Sequence, residues 1–276
     1  MLGVRSMRAI SRILSAAVFL TGSSDRVARR PAEHCARLGW PIMLLGALWG
    51  LAMIALWDIA NRLTWPMTFN WVAPSALCAA AMVLGPYRRA TLSLVEMLIP
   101  RRRQGSPNPD VRRDVWGPLA WVGVPLIALA VGLILNGALR SDPDWPTQLP
   151  RQWAWLWPRA LYRVLLLAPV WGAWGMLTLG QFCRPSDRTD EPTRRFAESV
   201  HPITSAAALA IPLTGSLVYL NFLYPVHFVP PLAAIVAALG GGALLARRGG
   251  ALTRPALLAA NVLAQLAFLL AYLAVR

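Results

Sequence analysis

Seven stretches of the chain are apolar almost without interruption: 39–57, 67–86, 117–138, 160–182, 203–224, 228–246 and 255–275. A helix rises 1.5 Å per residue, so about twenty such residues cross the roughly 30 Å hydrocarbon core of a bilayer. The runs are continuous and do not alternate, which excludes a membrane β-barrel. The pattern predicts an all-α fold: a polytopic helical membrane protein with about seven transmembrane helices, in a single integral-membrane domain over 1–276. The preceding segment "SMRAISRILSAAVFLTGSS" has basic residues before a short apolar run, as a signal peptide does. Arg26, Arg29, Arg30 and Arg37 follow at once and resist translocation. An interfacial amphipathic helix with Arg8 and Arg12 on its polar side therefore fits segment 1–37 better.

The connections carry further expectations. "GSPNP" at 105–109 marks a loop, and a cytoplasmic segment over 87–116 is expected to hold it. Trp145, Trp153, Trp155 and Trp157 form an interfacial aromatic belt by composition. Only "YPVH" joins the fifth and sixth spans, which predicts a tight helical hairpin or a re-entrant pair. The "GGG" at 240–242 allows close helix packing or a break in the helix, with packing favoured.

Composition strengthens this picture. Hydrophobic residues make up 57% of the 276 and charged residues 14%, against about 25% charged in soluble domains. The formal net charge is +15, and every basic residue is an arginine. With the N-terminus inside, the inner segments carry seven, seven, four and three arginines, or 21 of the 27. That is a positive-inside distribution. Topology accounts for the charge, so nucleic acid is excluded as a partner and the lipid bilayer is the implied one. The expected location is a bacterial inner membrane, with the N-terminus cytoplasmic and the C-terminus outside. Cys35, Cys78 and Cys183 form no CxxC pair and imply neither a disulfide framework nor a zinc site.

Few residues invite chemistry. The spans as drawn hold no mid-span Asp, Glu or Arg, which argues against a proton-coupled carrier. Their polar groups are Asn136, Gln181, Thr214, Ser216, Asn221, Asn261 and Gln265, suited to hydrogen bonding between helices. His34 and His201 fall on the inner side and His227 on the outer, so they cannot share a metal. The inner acids Glu96, Asp110, Asp114, Asp187, Asp190, Glu191 and Glu198 could hold Mg²⁺ through hard oxygen ligands. They could equally pair with the inner arginines.

Three segments together resemble the cobalamin synthase family (adenosylcobinamide-GDP ribazoletransferase). "ILSAAVFLTG" is similar to that family's opening segment, and "LLLAPVWGAWGMLTL" at 165–179 to its "LLAPALGRWAM" stretch. "ARRGGALTRPALLAANVLAQLAFLLAYLA" at 246–274 resembles its C-terminal "RRLGGxTGDxLGAxxELxE" helix. The family's acidic motif "HLDGLADTADG", laid on "GPYRRATLSLVEMLIP" without gaps, puts its histidine on Tyr87. Its aspartates fall on Arg89, Ser93 and Glu96, so one acid of three is kept. A second motif falls on "DVRRDVWGPLA" through Arg113, Asp114 and Gly117. In the C-terminal motif Thr253 matches, the Gly-Asp after it is Arg254-Pro255, and the second Glu is Gln265.

The resemblance implies a Mg²⁺-dependent transfer of adenosylcobinamide phosphate to α-ribazole or its 5′-phosphate, releasing GMP at the cytoplasmic face. By the same resemblance Glu96 and Asp114 would be catalytic. Glu96, Asp110 and Asp114 would hold Mg²⁺, and Arg89, Arg113, Ser93 and Thr253 would bind substrate phosphate. The substrate would be a nucleotide-linked corrinoid. The alternatives are a catalytically inactive relative serving in a membrane complex or homo-oligomer, or a solute transporter using the amide-bearing helices.

Overall fold

The computed structural model describes residues 2–21, 27, 38–63, 72–98, 123–136, 160–187, 189–220 and 225–275, and among these there is no strand. The helices are α1 Leu2–Thr21, α2 Gly39–Arg62, α3 Ala73–Leu84 and α4 Arg88–Leu98. They continue with α5 Gly123–Asn136, α6 Ala160–Phe182, α7 Glu191–Ser199 and α8 Pro202–Tyr219. Helix α9 comprises Val229–Val236, a π-helical turn Ala237–Gly241, and Gly242–Gly249; α10 is Arg254–Val275.

Among the described residues five helices are long and apolar enough to cross a membrane: Gly39–Arg62, Tyr162–Phe182, Pro202–Tyr219, Val229–Arg248 and Arg254–Val275. A membrane-embedded helical protein is therefore what the fold provides. The expected second and third spans appear as shorter helices, α3 and α5. The tryptophan belt at 145–157, the "GSPNP" loop, His34 and Cys35 lie outside the described residues.

Helix α6 is the axis of the bundle. Its hydrophobic stretch is 89% buried, against 22% for α8 and 33% for α2. Helices α2, α8, α9 and α10 pack on it, and small residues set the spacing. A Cβ placed on Gly50 of α2 would lie 2.8 Å from Leu166 Cα, and one on Gly46 would lie 2.9 Å from the Pro169 carbonyl oxygen. On the other side a Cβ at Gly172 would meet Asn261 Oδ1 at 2.6 Å, and one at Gly175 would meet Ala238 Cβ at 2.8 Å. Without a hydrophobic force between helices in lipid, close backbone approach supplies the packing energy. Indole hydrogen bonds add direction: Trp171 Nε1 donates to Ser216 Oγ at 3.0 Å, and Trp174 Nε1 to the Ser205 carbonyl at 3.2 Å.

These pairings fix helix directions. Gly39 lies by Leu177 and Gly50 by Leu166, so α2 is antiparallel to α6. Arg163 Nη1 donates to the Tyr219 carbonyl while Trp174 reaches Ser205, so α8 is antiparallel to α6 as well. Gly180 neighbours Leu257 and Gly172 neighbours Asn261, which sets α10 antiparallel too. One end of the bundle thus gathers the starts of α2, α8 and α10 and the end of α6. There Phe19 of α1 packs on Phe196 of α7, ring centroids 5.1 Å apart.

One expectation changes. The short link between α8 and α9 does not make a packed hairpin: α8 lies on α6 and α2, whereas α9 lies on α10 and α6. The buried small-residue faces of α6 and α10 outcompete the neighbour in sequence. The "GGG" serves close packing, the favoured role, and the helix runs through it without a break. Gly242 sits where a Cβ would meet Leu179 and Ala260 at 2.9 and 3.0 Å, and Gly240 and Gly241 lie in the π-helical turn.

Gly50→Ala is expected to push α2 off α6, because the obstructing atoms are backbone. A core overpacked in this way typically loses about 1–3 kcal/mol. Thermal unfolding in detergent should show a clear drop in Tm, while Gly240→Ala, with no atom within 4 Å, should leave it almost unchanged.

Candidate functional site

The stretch that carries the acidic-motif comparison begins at a break between two helices. Helix α3 stops at Gly85, whose N–H donates to the Ala81 carbonyl at 2.9 Å and whose ψ is −137°. Proline at 86 disfavours the α conformation in the residue before it and offers no N–H to continue the ladder. A single 3.0 Å bond from Arg88 N–H to the Gly85 carbonyl closes the turn, and α4 starts.

Three neighbours locate this break. The indole of Trp49 lies against Gly85, and its ring centroid is 6.4 Å from that of Tyr87. Trp49 is the eleventh of the 24 residues of α2. Tyr87 and Thr91 share a recess with Val262, Gln265 and Leu269, and Gln265 is the twelfth of the 22 residues of α10. Along α5, Gly132 neighbours Ala79, Ile127 and Val131 line the same recess, and Gly123 neighbours Val95. The break is therefore level with the midpoints of α2 and α10, and α4 continues in the direction of α3.

The recess is small and partly open, with a volume of about 20 Å³, room for about one water. Its polar contributors are Tyr87, Thr91 and Gln265 among aliphatic side chains. Gln265 Nε2 donates to Asn261 Oδ1 at 2.5 Å. Asn261 Nδ2 is buried without a partner among the described residues, as is Trp49 Nε1. A buried donor left so costs roughly 1–3 kcal/mol; Trp49 lies against the break, whereas Asn261 faces Gly172 of α6. Arg88 and Arg89 are exposed at the head of α4, while Ala90, Thr91, Leu94 and Val95 on the other face are buried.

The residues expected to form a site are distributed as follows. Ser93 is buried, and its hydroxyl donates to the Arg89 carbonyl at 2.8 Å, a bond within its own helix. Thr253 Oγ1 accepts the Ala256 N–H at 3.4 Å, capping α10. Glu96 lies near the end of α4. Asp110, Arg113 and Asp114 lie outside the described residues. Helix α4 packs along α10 and touches α1 and the last segment of α9. Its end thus points toward the end of the bundle where Thr253 sits.

Other polar residues have structural roles. Asp190 caps α7, accepting from Thr193 N–H at 3.2 Å, and Glu191 pairs with Arg195 at 2.7 Å in an exposed ion pair. His201 Nδ1 caps α8 by accepting the Ile203 N–H at 3.3 Å. Tyr162 donates to Asp58 Oδ1, joining α6 to α2. Burial pushes the Cys183 thiol up, and Arg247 nearby pulls it back down, so the net effect leaves it a protonated, weak nucleophile. Among the described residues no group of three or more His, Cys, Asp or Glu converges as metal ligands do.

The sequence comparison noted Arg254 only as a replacement of Gly-Asp in the cobalamin synthase motif and gave it no role. It is 6% exposed, its Nε donates to the Phe19 carbonyl at 2.8 Å, and its guanidinium lies 5.6 Å from the Phe19 ring centroid. The arginine thus ties α1 to the head of α10 across 235 residues of sequence. An arginine directly before the proline that opens an apolar helix was the available signal. Hydrogen bonds to charged groups contribute about 1.5–3 kcal/mol, so Arg254→Gln is expected to loosen α1. Amide exchange in 9–21 should rise at least several-fold while exchange in α6 stays slow. Comparison of the chain with protein-family models, with curated proteins and with solved structures gave no match in any of the three.

Proposed function

We propose that the protein is a seven-span inner-membrane relative of the cobalamin synthases that holds a diphosphate-bearing substrate beside α4. The seven crossings are α2, α3 with its continuation, α5, α6, α8, α9 and α10, with the arginine-rich end in the cytoplasm and the C-terminus outside. The observation that carries the proposal is the packing of α4 along α10. Two segments about 160 residues apart in sequence, each carrying part of the family resemblance, lead toward one end of the bundle.

The replaced acids change the chemistry. A guanidinium at position 89 cannot ligate a cation, but it can bind phosphate oxygens through two parallel N–H donors. Substrate phosphate would then rest on fixed positive charge from Arg89, with Arg113 as its partner in the second motif. Glu96, Asp110 and Asp114 are the carboxylates left for Mg²⁺ and for deprotonating the attacking hydroxyl of α-ribazole. Held by those carboxylates, Mg²⁺ would supply positive charge against the diphosphate.

A second reading, a solute carrier, draws on the helix break, because discontinuous helices with half-helix N-termini are a feature of transporter binding sites. The two readings separate in purified protein. The enzyme reading expects Mg²⁺-dependent GMP release from adenosylcobinamide-GDP when α-ribazole is supplied. Glu96→Gln should abolish most of it, and Arg89→Gln should raise KM roughly tenfold, the effect of losing about 1.4 kcal/mol of phosphate contact. Absence of GMP under conditions where a motif-intact enzyme turns over would remove this reading. Uptake of solute into proteoliposomes without product would favour the carrier.

A further inference from the structure

We infer that residues 73–98 form one membrane span, a helix broken at its centre, and that water reaches Arg88 and Arg89 at mid-depth. This goes beyond the phosphate reading and does not rest on it. Helices α3 and α4 have 12 and 11 residues, or about 18 and 16 Å of axial length at 1.5 Å per residue. Neither alone crosses a hydrocarbon core of roughly 30 Å, and end to end they do.

Contacts on three sides put them end to end. Against α2, Cys78 lies by Met53 and Gly85 by Trp49. Against α5, Ala79 lies by Gly132 and Val95 by Gly123. A hairpin folding back at Gly85 would bring Val95 level with Ala79, yet these two meet positions nine residues apart on α5. Against α10, Tyr87 and Thr91 lie by Val262, Gln265 and Leu269, and α4 then reaches α1 and the Gly242–Gly249 segment of α9.

The consequence is electrostatic. The segment "GPYRRATLSLVEML" is then the inner half of the second span, and its two arginines follow the break by one and two residues. Guanidinium groups at that depth are costly in lipid and persist only where water or an anion meets them. Both are exposed, on the face of α4 opposite its buried Ala90 and Leu94. Backbone freed at the break is tolerated at membrane depth under the same condition, beside protein or a wet cavity. A crevice open to water from the arginine-rich end satisfies the arginines and the break together.

Leu77, Leu84 and Leu98 are exposed at 38%, 54% and 53%, so single cysteines there are tolerated in a background lacking Cys35, Cys78 and Cys183. Nitroxide labels at these three sites in liposomes report depth through collisions with oxygen and with a water-soluble nickel chelate. The broken span places Leu84 deepest, with Leu77 and Leu98 shallower on opposite sides. Depth that falls steadily from Leu77 through Leu84 to Leu98 would overturn it, because α4 would then lie on the inner surface. For the crevice, labels at Arg88→Cys and Arg89→Cys, made one at a time, should collide with nickel several-fold more often than the label at Leu84. Oxygen-dominated relaxation at both positions would refute water access.

Discussion

Close approach of helix backbones at small residues is the constraint on which the rest of this structure depends. Helix α6 is nearly all buried because α2 and α8 present glycine to it, and because its own Gly172 and Gly175 admit α10 and α9. Chains of amide and hydroxyl groups then fall within reach across the contacts. Trp171 finds Ser216, Trp174 finds Ser205, and the Asn261–Gln265 pair sits where Gly172 leaves space. In a bilayer these interactions replace the hydrophobic drive that organises a soluble core. The amphipathic helices α1 and α7 close one end, with Phe19, Phe196 and Arg254 as their common contact.

That framework leaves α3, α4 and α5 around the break, with α4 packed on α10. The break at Gly85–Tyr87 is supported by Trp49 from one neighbour and Gln265 from another. A largely aliphatic recess with three polar groups, the unpaired buried indole of Trp49 and two exposed arginines meet there. No other described part of the molecule combines charge, an irregular backbone and unspent hydrogen-bonding groups.

Much of the architecture was legible in the sequence because lipid imposes a length. Five of the expected spans return with boundaries shifted by a few residues, and Arg12 lies exposed on an amphipathic helix as its spacing implied. Legibility failed where the hydrophobic signal is interrupted by charge or by competition between helix faces. Arg88 and Arg89 end any apolar window, so the second span reads as finished at Pro86 although helical packing continues to Leu98. The link between α8 and α9 reads as a hairpin because length alone says nothing of which faces attract. Arg254 looks like one more inner arginine until Phe19 is seen beneath it. The candidate site was only half legible: position 89 and Thr253 were named from the resemblance, whereas the recess bounded by Tyr87 and Gln265 depends on helix depth, which spacing does not encode.

Helices α3 and α4 follow α5 as one path through the break. Two cysteine pairs probe that path in the full-length protein: Ala79→Cys with Gly132→Cys, and Val95→Cys with Gly123→Cys. The glycine positions lie with ideal Cβ atoms 3.6 and 3.4 Å from their partners' Cβ, close to the roughly 3.8 Å mean of natural disulfides. Both crosslinks should form under mild oxidation, each in monomeric protein and each without the other. A crosslink at 79–132 with none at 95–123 would mean that α4 turns away at Gly85, and the broken helix would have to be abandoned.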